Sequence, residues 1–189
     1  MTTTFFISDT HFNHNRICEF EPVFRPFASV EEHDEELIKR WNDVVGPNDT
    51  VVHLGDVILN VNETNIEHHL ARTIGRLNGR KELVFGNHDT RKKIQFYTKY
   101  FEFIGYHEDM KRKIIFSHIP VHTNQVESGN GRGDGKGRFN FNVHGHLHSK
   151  VVCVEGTQIP DKRFINVSCE RINLTPISFD ELMVKHGVK

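Results

Sequence analysis

The segment Thr50-Val51-Val52-His53-Leu54-Gly55-Asp56 reads as a buried strand, Thr50 to Leu54, that stops on a glycine and an acid. The same figure recurs on both sides of it. Thr4 to Ile7 reads as a short strand ending at Ser8-Asp9-Thr10-His11, and Lys81 to Phe85 as a third strand running into Gly86-Asn87-His88-Asp89. Helices fill the intervals. Ser29 and Glu32 form a capping box, and Val30, Leu37, Trp41 and Val44 or Val45 give an apolar stripe at helical spacing, closed by Gly46-Pro47-Asn48-Asp49. Asn65 to Leu77 reads as a second helix, closed by Asn78-Gly79.

Farther along, a basic, aromatic helix is expected over Arg91 to Tyr100. Lys113 to Phe116 is a strand leading into Ser117-His118, and Asn142 to Gly145 another, followed by His146-Leu147-His148. Val151 to Val154 and Arg163 to Val167 read as further strands, and Phe179 to Lys185 as a closing helix. Strands alternating with helices predict one α/β domain over residues 1–189, its sheet faces covered by helices. Ligands of such folds gather at the carboxyl ends of strands. Here five strand ends carry Asp9 and His11, Asp56, Asn87 and His88, His118, and His146 and His148.

Composition narrows the class. The chain has 189 residues, 37% hydrophobic and 26% charged, which fits a folded globular domain. No apolar run approaches the roughly 20 residues of a membrane span. The N-terminus has no basic region or small-residue cleavage site, so a cytoplasmic location is expected. Cys18, Cys153 and Cys169 are isolated and are expected to be reduced. A formal net charge of −1 argues against binding along duplex nucleic acid, but leaves room for a small phosphorylated substrate. The 14 histidines are in excess, and their placement at strand ends gives the excess meaning.

Aspartate, histidine and asparagine without thiolates suit Mn²⁺, with Fe, Zn²⁺ or Ni²⁺ as alternatives. Seven such residues are too many for one ion. Two ions sharing a carboxylate explain the number, and ions ~3.5–4 Å apart are the device of phosphatases and nucleases. Asp9-x-His11, Gly55-Asp56, Gly86-Asn87-His88-Asp89, His118 and Gly145-His146-x-His148 resemble, in order, the motifs of the calcineurin-like metallophosphoesterases. The likeness covers residues 9 to 148 and points to the small stand-alone members of bacteria and phages. Residues Val57-Ile58-Leu59-Asn60 and Asp89 depart from the protein Ser/Thr phosphatases of the superfamily.

The resemblance implies a sandwich of two β-sheets flanked by helices, and hydrolysis by metal-activated water. It implies one ion held by Asp9, His11, Asp56 and His148 and another by Asp56, Asn87, His118 and His146. It implies His88 over the phosphate as acid to the leaving oxygen, with Asp89 orienting it. The implied substrate is a small phosphomonoester or phosphodiester, such as a nucleotide or cyclic nucleotide, turned over by a monomer or homodimer. A nuclease acting on single-stranded ends and an inert binding module are the alternatives. His14, Arg16 and His122, near the motifs, are candidate substrate contacts. So are Arg132 and Arg138 in the glycine-rich stretch Ser128 to Arg138, expected to be a mobile loop that folds over an anion.

Overall fold

A computed structural model describes residues 2–105, 107–126 and 138–187. Two sheets form its frame. In the first, β1 (Thr4–Ile7), β2 (Thr50–His53), β3 (Arg80–Leu83) and β4 (Phe103–Ile104) lie parallel in the order β4-β3-β2-β1. The register sets Phe6 beside Val52 and Val52 beside Glu82. Late in the chain, β9 (Ile177–Ser178) closes the other edge antiparallel to β1. In the second sheet, β5 (His107–Asp109) pairs antiparallel with β6 (Ile114–Ser117), followed by parallel β7 (Phe141–His144) and β8 (Phe164–Asn166). The rings of Phe6 and Phe116 stack at 4.7 Å between the sheets. The result is the expected α/β sandwich.

The helices are α1 (Ile17–Phe20), α2 (Val30–Val44), α3 (Ile66–Arg72), α4 (Ile94–Tyr97) and α5 (Phe179–Lys185). In α2, Ser29 Oγ accepts from Glu32 N at 3.1 Å, and the Glu32 carboxylate returns to Ala28 N at 2.9 Å, one residue earlier than a standard capping box. Its buried stripe is His33, Leu37, Ile38 and Trp41, and the Trp41 indole donates to Asn78 O. Among the described residues no helix is long and apolar enough to cross a membrane.

Three expectations are corrected. The helix over Asn65 to Leu77 breaks at Thr73, whose hydroxyl donates to His69 O at 2.7 Å, and Ile74–Arg76 continue as a 3₁₀ turn. The helix over Arg91 to Tyr100 is likewise a 3₁₀ turn, Arg91–Lys93, leading into the single turn of α4. Val151 to Val154 do not form a strand. They make one bridge, Cys153 to Pro160, and proline has no N–H with which to extend a ladder. The glycine-rich stretch Ser128 to Gly137, with Arg132, lies outside the described residues.

Candidate metal centre

Because β1, β2 and β3 are parallel, and β6 and β7 are parallel to each other, their carboxyl ends deliver the motif loops to a common edge. The backbone there is bent sharply. Asp9, His11, Asp56, His146 and His148 all adopt the left-handed conformation, with φ of 58°, 50°, 57°, 68° and 51°. Each such residue costs about 1–2 kcal/mol, so the surroundings must hold it. His11 N donates to Asp56 O at 3.1 Å and Asp9 N to Gly55 O at 3.0 Å, tying the first two loops together. Two glycines permit the approach of the others. A Cβ on Gly86 would lie 2.2 Å from Asp56 Oδ1, and one on Gly145 2.0 Å from Ser8 Oγ and 2.5 Å from Asp9 Oδ2.

Among the described residues three groups of side chains come within ligand-sharing distance, and two of them join residues of the motifs, Asp9 with His11 and His148, and Asp56 with His118 and His146. Their atoms are arranged for a cation. Asp9 Oδ2 accepts from His146 N and Ser168 Oγ, both at 2.9 Å, while Oδ1 is buried without a partner. Both His11 ring nitrogens are also buried and unpartnered, and Nε2 stands 3.7 Å from Asp9 Oδ1 and 3.6 Å from Asp56 Oδ2. These separations exceed a hydrogen bond and suit two ligands of one ion. His118 Nδ1–H donates to Leu54 O at 2.8 Å, which turns Nε2 toward Asp56 Oδ2 at 3.3 Å and Asn87 Oδ1 at 2.9 Å. A neutral His118 therefore presents a lone pair to the Asp56 carboxylate and the Asn87 amide, and a cation among them would satisfy all three. The residues fit a divalent metal.

The charges follow. Burial alone would raise the Asp9 carboxyl, but His11, His118 and His148 hold it well below the usual carboxylate range. Burial lowers His11 below the ordinary imidazole value. It pulls His118 and His148 the same way, but carboxylates override it and raise both, Asp56 acting on His118 and Glu170 on His148.

The remaining predicted residues divide. His88 is half exposed, with Nε2 3.9 Å from Asp56 Oδ2. His14 packs its ring 5.4 Å from that of His11, and burial and His11 push it down to about 4. Arg16 points elsewhere, paired with Glu19 at 2.9 Å and lying over the Phe20 ring. His122 is exposed and caps the turn Thr123–Gln125. Arg138 pairs with Glu108 and lies over Phe139. Asp89 does not orient His88. Its Oδ2 accepts from Asp56 N at 2.7 Å and Gly86 N at 2.9 Å, and its Oδ1 from Val57 N at 3.2 Å and Tyr97 Oη at 2.8 Å. Four donors saturate it, and it braces the Asp56 loop instead.

Sequence reasoning passed over the groups behind the centre. Arg25 and Glu170 form a buried ion pair at 2.7 Å beneath it, and His33, Tyr97 and His53 are buried beside it. Arg25 sits between Phe24 and Pro26 with no local pattern to mark it.

His53 yields a stability prediction. Its Nδ1 accepts from Gly55 N at 3.1 Å, and Thr10 Oγ1, 2.9 Å from Nε2, already donates to Val57 O. Nε2–H is thus the donor and the ring has no room for a second proton. Burial pushes it down to about 3. Below the unfolded value of about 6.5 the unfolded chain binds a proton that the folded chain refuses, so stability falls as pH falls, by about 1.4 kcal/mol per unit for this one group. In urea unfolding of chelator-treated protein, His53→Gln should remove that much of the slope between about pH 6 and 4. An unchanged slope would show that His53 does not carry it.

A family model described as calcineurin-like phosphoesterase matches residues 2–186. An uncharacterized protein of Methanocaldococcus jannaschii is 36% identical over 185 residues, covering 98% of this chain and 91% of that protein. The gene 66 protein of Mycobacterium phage L5 is 42% identical over 89 residues, covering 47% of this chain and 41% of that one. The crystal structure of a protein of unknown function from Aquifex aeolicus matches with a TM-score of 0.67 and 29% identity, covering 98% of this chain and all of that one. With two sheets delivering their loops to one edge and two Asp/His groups fit for cations, the chain belongs to the calcineurin-like phosphoesterases, a metal-dependent family.

Proposed function

We propose that this chain hydrolyses a small phosphomonoester or phosphodiester, a nucleotide or cyclic nucleotide among them, using two divalent cations, Mn²⁺ first. The observation that carries the reading is Asp56 Oδ2, which lies 3.6 Å from His11 Nε2 and 3.3 Å from His118 Nε2 and so faces both groups. Its sister oxygen accepts from His88 N at 2.9 Å, which fixes the carboxylate in that attitude. Asp9, His11, Asp56 and His148 would hold one ion, and Asp56, Asn87, His118 and His146 the other. Bound there, the cations would screen the anionic phosphate and supply activated water at neutral pH.

The chain's own groups supply the rest. His88 is the acid. Half exposed and 3.9 Å from Asp56 Oδ2, it is accessible to substrate and can give its proton to the departing oxygen. His14, uncharged at neutral pH beside His11, offers a neutral imidazole to the phosphate rather than a competing cation. Asp89 and Tyr97 keep the Asp56 loop rigid.

Hydrolysis of p-nitrophenyl phosphate and of its bis-ester tests the reading. Chelated protein should be inactive and Mn²⁺ should restore turnover, with the ratio of the two rates giving the monoester or diester preference. Equal activity with and without chelator, or none with Mn²⁺ bound, would overturn it.

A further inference from the structure

We propose that Arg25 and Glu170 are positioning residues for one half of the metal centre, so that the ion held by Asp9, His11 and His148 depends on them and the other ion does not; this rests on the two-ion reading above. Arg25 is fully buried, and every arm of its guanidinium is used. Nη2 donates to Asp9 O at 2.5 Å and Nη1 to Thr10 O at 3.0 Å, which pins the strained loop that carries Asp9 and His11. Nε donates to Glu170 Oε1 at 2.7 Å. The same oxygen accepts from His148 Nδ1 at 3.0 Å. With its proton committed to Nδ1, His148 turns a bare Nε2 toward Asp9 Oδ1, 3.9 Å away. One buried cation therefore sets the attitude of ligands on two loops far apart in the chain.

A second bond from Nη1 returns to the same loop. Nη1 lies 2.8 Å from His33 Nε2, His33 Nδ1 donates to Asp34 Oδ1 at 2.9 Å, and Asp34 Oδ2 accepts from Asn13 N at 2.9 Å. Asn13 is itself left-handed, with φ of 58°. A lysine would not serve, because a single ammonium cannot reproduce the planar fork that meets a carboxylate, two carbonyls and an imidazole together. The other half is built differently. His118 is oriented by the main-chain carbonyl of Leu54, not by a buried carboxylate.

Glu21, His148 and Glu170 also come within ligand-sharing distance of one another. A third ion there would require His148 to give both ring nitrogens to cations, an imidazolate, and would set a divalent charge against the Arg25 guanidinium. Orientation is the better account of Glu170. Carboxylates behind metal-binding histidines typically change affinity by about 10–100-fold when removed.

The test is Mn²⁺ binding by calorimetry to the chelated full chain. The double variant Arg25→Met/Glu170→Met removes the buried pair as a unit, leaving no unpaired charge to unfold the protein. It should weaken one of the two binding steps by about 10–100-fold and leave the other unchanged. The weakened step should be the one that His11→Ala abolishes. Arg25→Met/Glu170→Gln, which also leaves no unpaired charge and whose amide oxygen can still accept from His148, should recover part of the loss, which a merely structural role would not explain. Equal weakening of both steps, no weakening, or loss of the step that His118→Ala abolishes would overturn the proposal. A parent chain that takes up a single ion fails the two-ion reading instead. The positioning claim then stands if that ion is the one His11→Ala abolishes and the double variant weakens it, and falls otherwise.

Discussion

Asp56→Asn should strip both ions from the centre and lower phosphoester hydrolysis by about 10³-fold, to the level of chelated protein, while the chain stays folded. Asparagine keeps an oxygen at the Oδ1 position, so it still accepts from His88 N, and the main-chain bond from residue 56 to Asp89 is untouched. At the Oδ2 position it brings an NH₂ group 3.3 Å from His118 Nε2 and 3.6 Å from His11 Nε2. That group donates to His118 Nε2 and occupies a lone pair that an ion needs, and it leaves His11 facing an amide nitrogen that has no lone pair to share with a metal. Metal catalysis of this kind supplies several kcal/mol, and about 4 kcal/mol corresponds to about 10³-fold. Elemental analysis, the rate and a thermal melt on one preparation check it. A variant that keeps both ions would remove Asp56 from the shared position.

His88→Asn should differ in kind. Both ions should stay, since the side chain stands outside the two ligand groups, half exposed and 3.9 Å from Asp56 Oδ2. Turnover should fall by about 10²–10⁴-fold, the usual range for loss of a general acid. The loss should be greatest for alkyl esters, whose leaving oxygens need a proton, and smaller for p-nitrophenyl esters. Equal losses for the two would mean that His88 positions substrate without protonating it.

Much of the frame was legible because it is written locally. The runs Thr4–Ile7 and Thr50–His53 are apolar and end on polar motifs, and Ser29 with Glu32 announces α2. The residues that the structure gathers into two groups were legible for the same reason, as polar side chains crowded where strands stop. What escaped is non-local. Arg25 lies 145 residues from Glu170, and a charged residue among Phe24, Pro26 and Phe27 gives no hint that it is fully buried. Asp89 was misread through adjacency. It follows His88 in the chain, but burial commits its oxygens to the N–H groups of the neighbouring loop. The two-residue strand Ile177–Ser178 is too short for periodicity to register, and β5, His107–Asp109, is a polar edge stabilised by pairing with Ile114–Phe116. Val151 to Val154 has the opposite fault, an apolar run with no partner able to complete a ladder.

On the proposed mechanism one carboxylate oxygen serves two cations, and hydrolysis needs both. The most direct measurement titrates chelated protein with Mn²⁺ and follows bound ion and hydrolysis of p-nitrophenyl phosphate on the same samples. Two ions per chain at saturation, with the rate rising as the second binds, is the predicted result. One ion at saturation with full activity would contradict it.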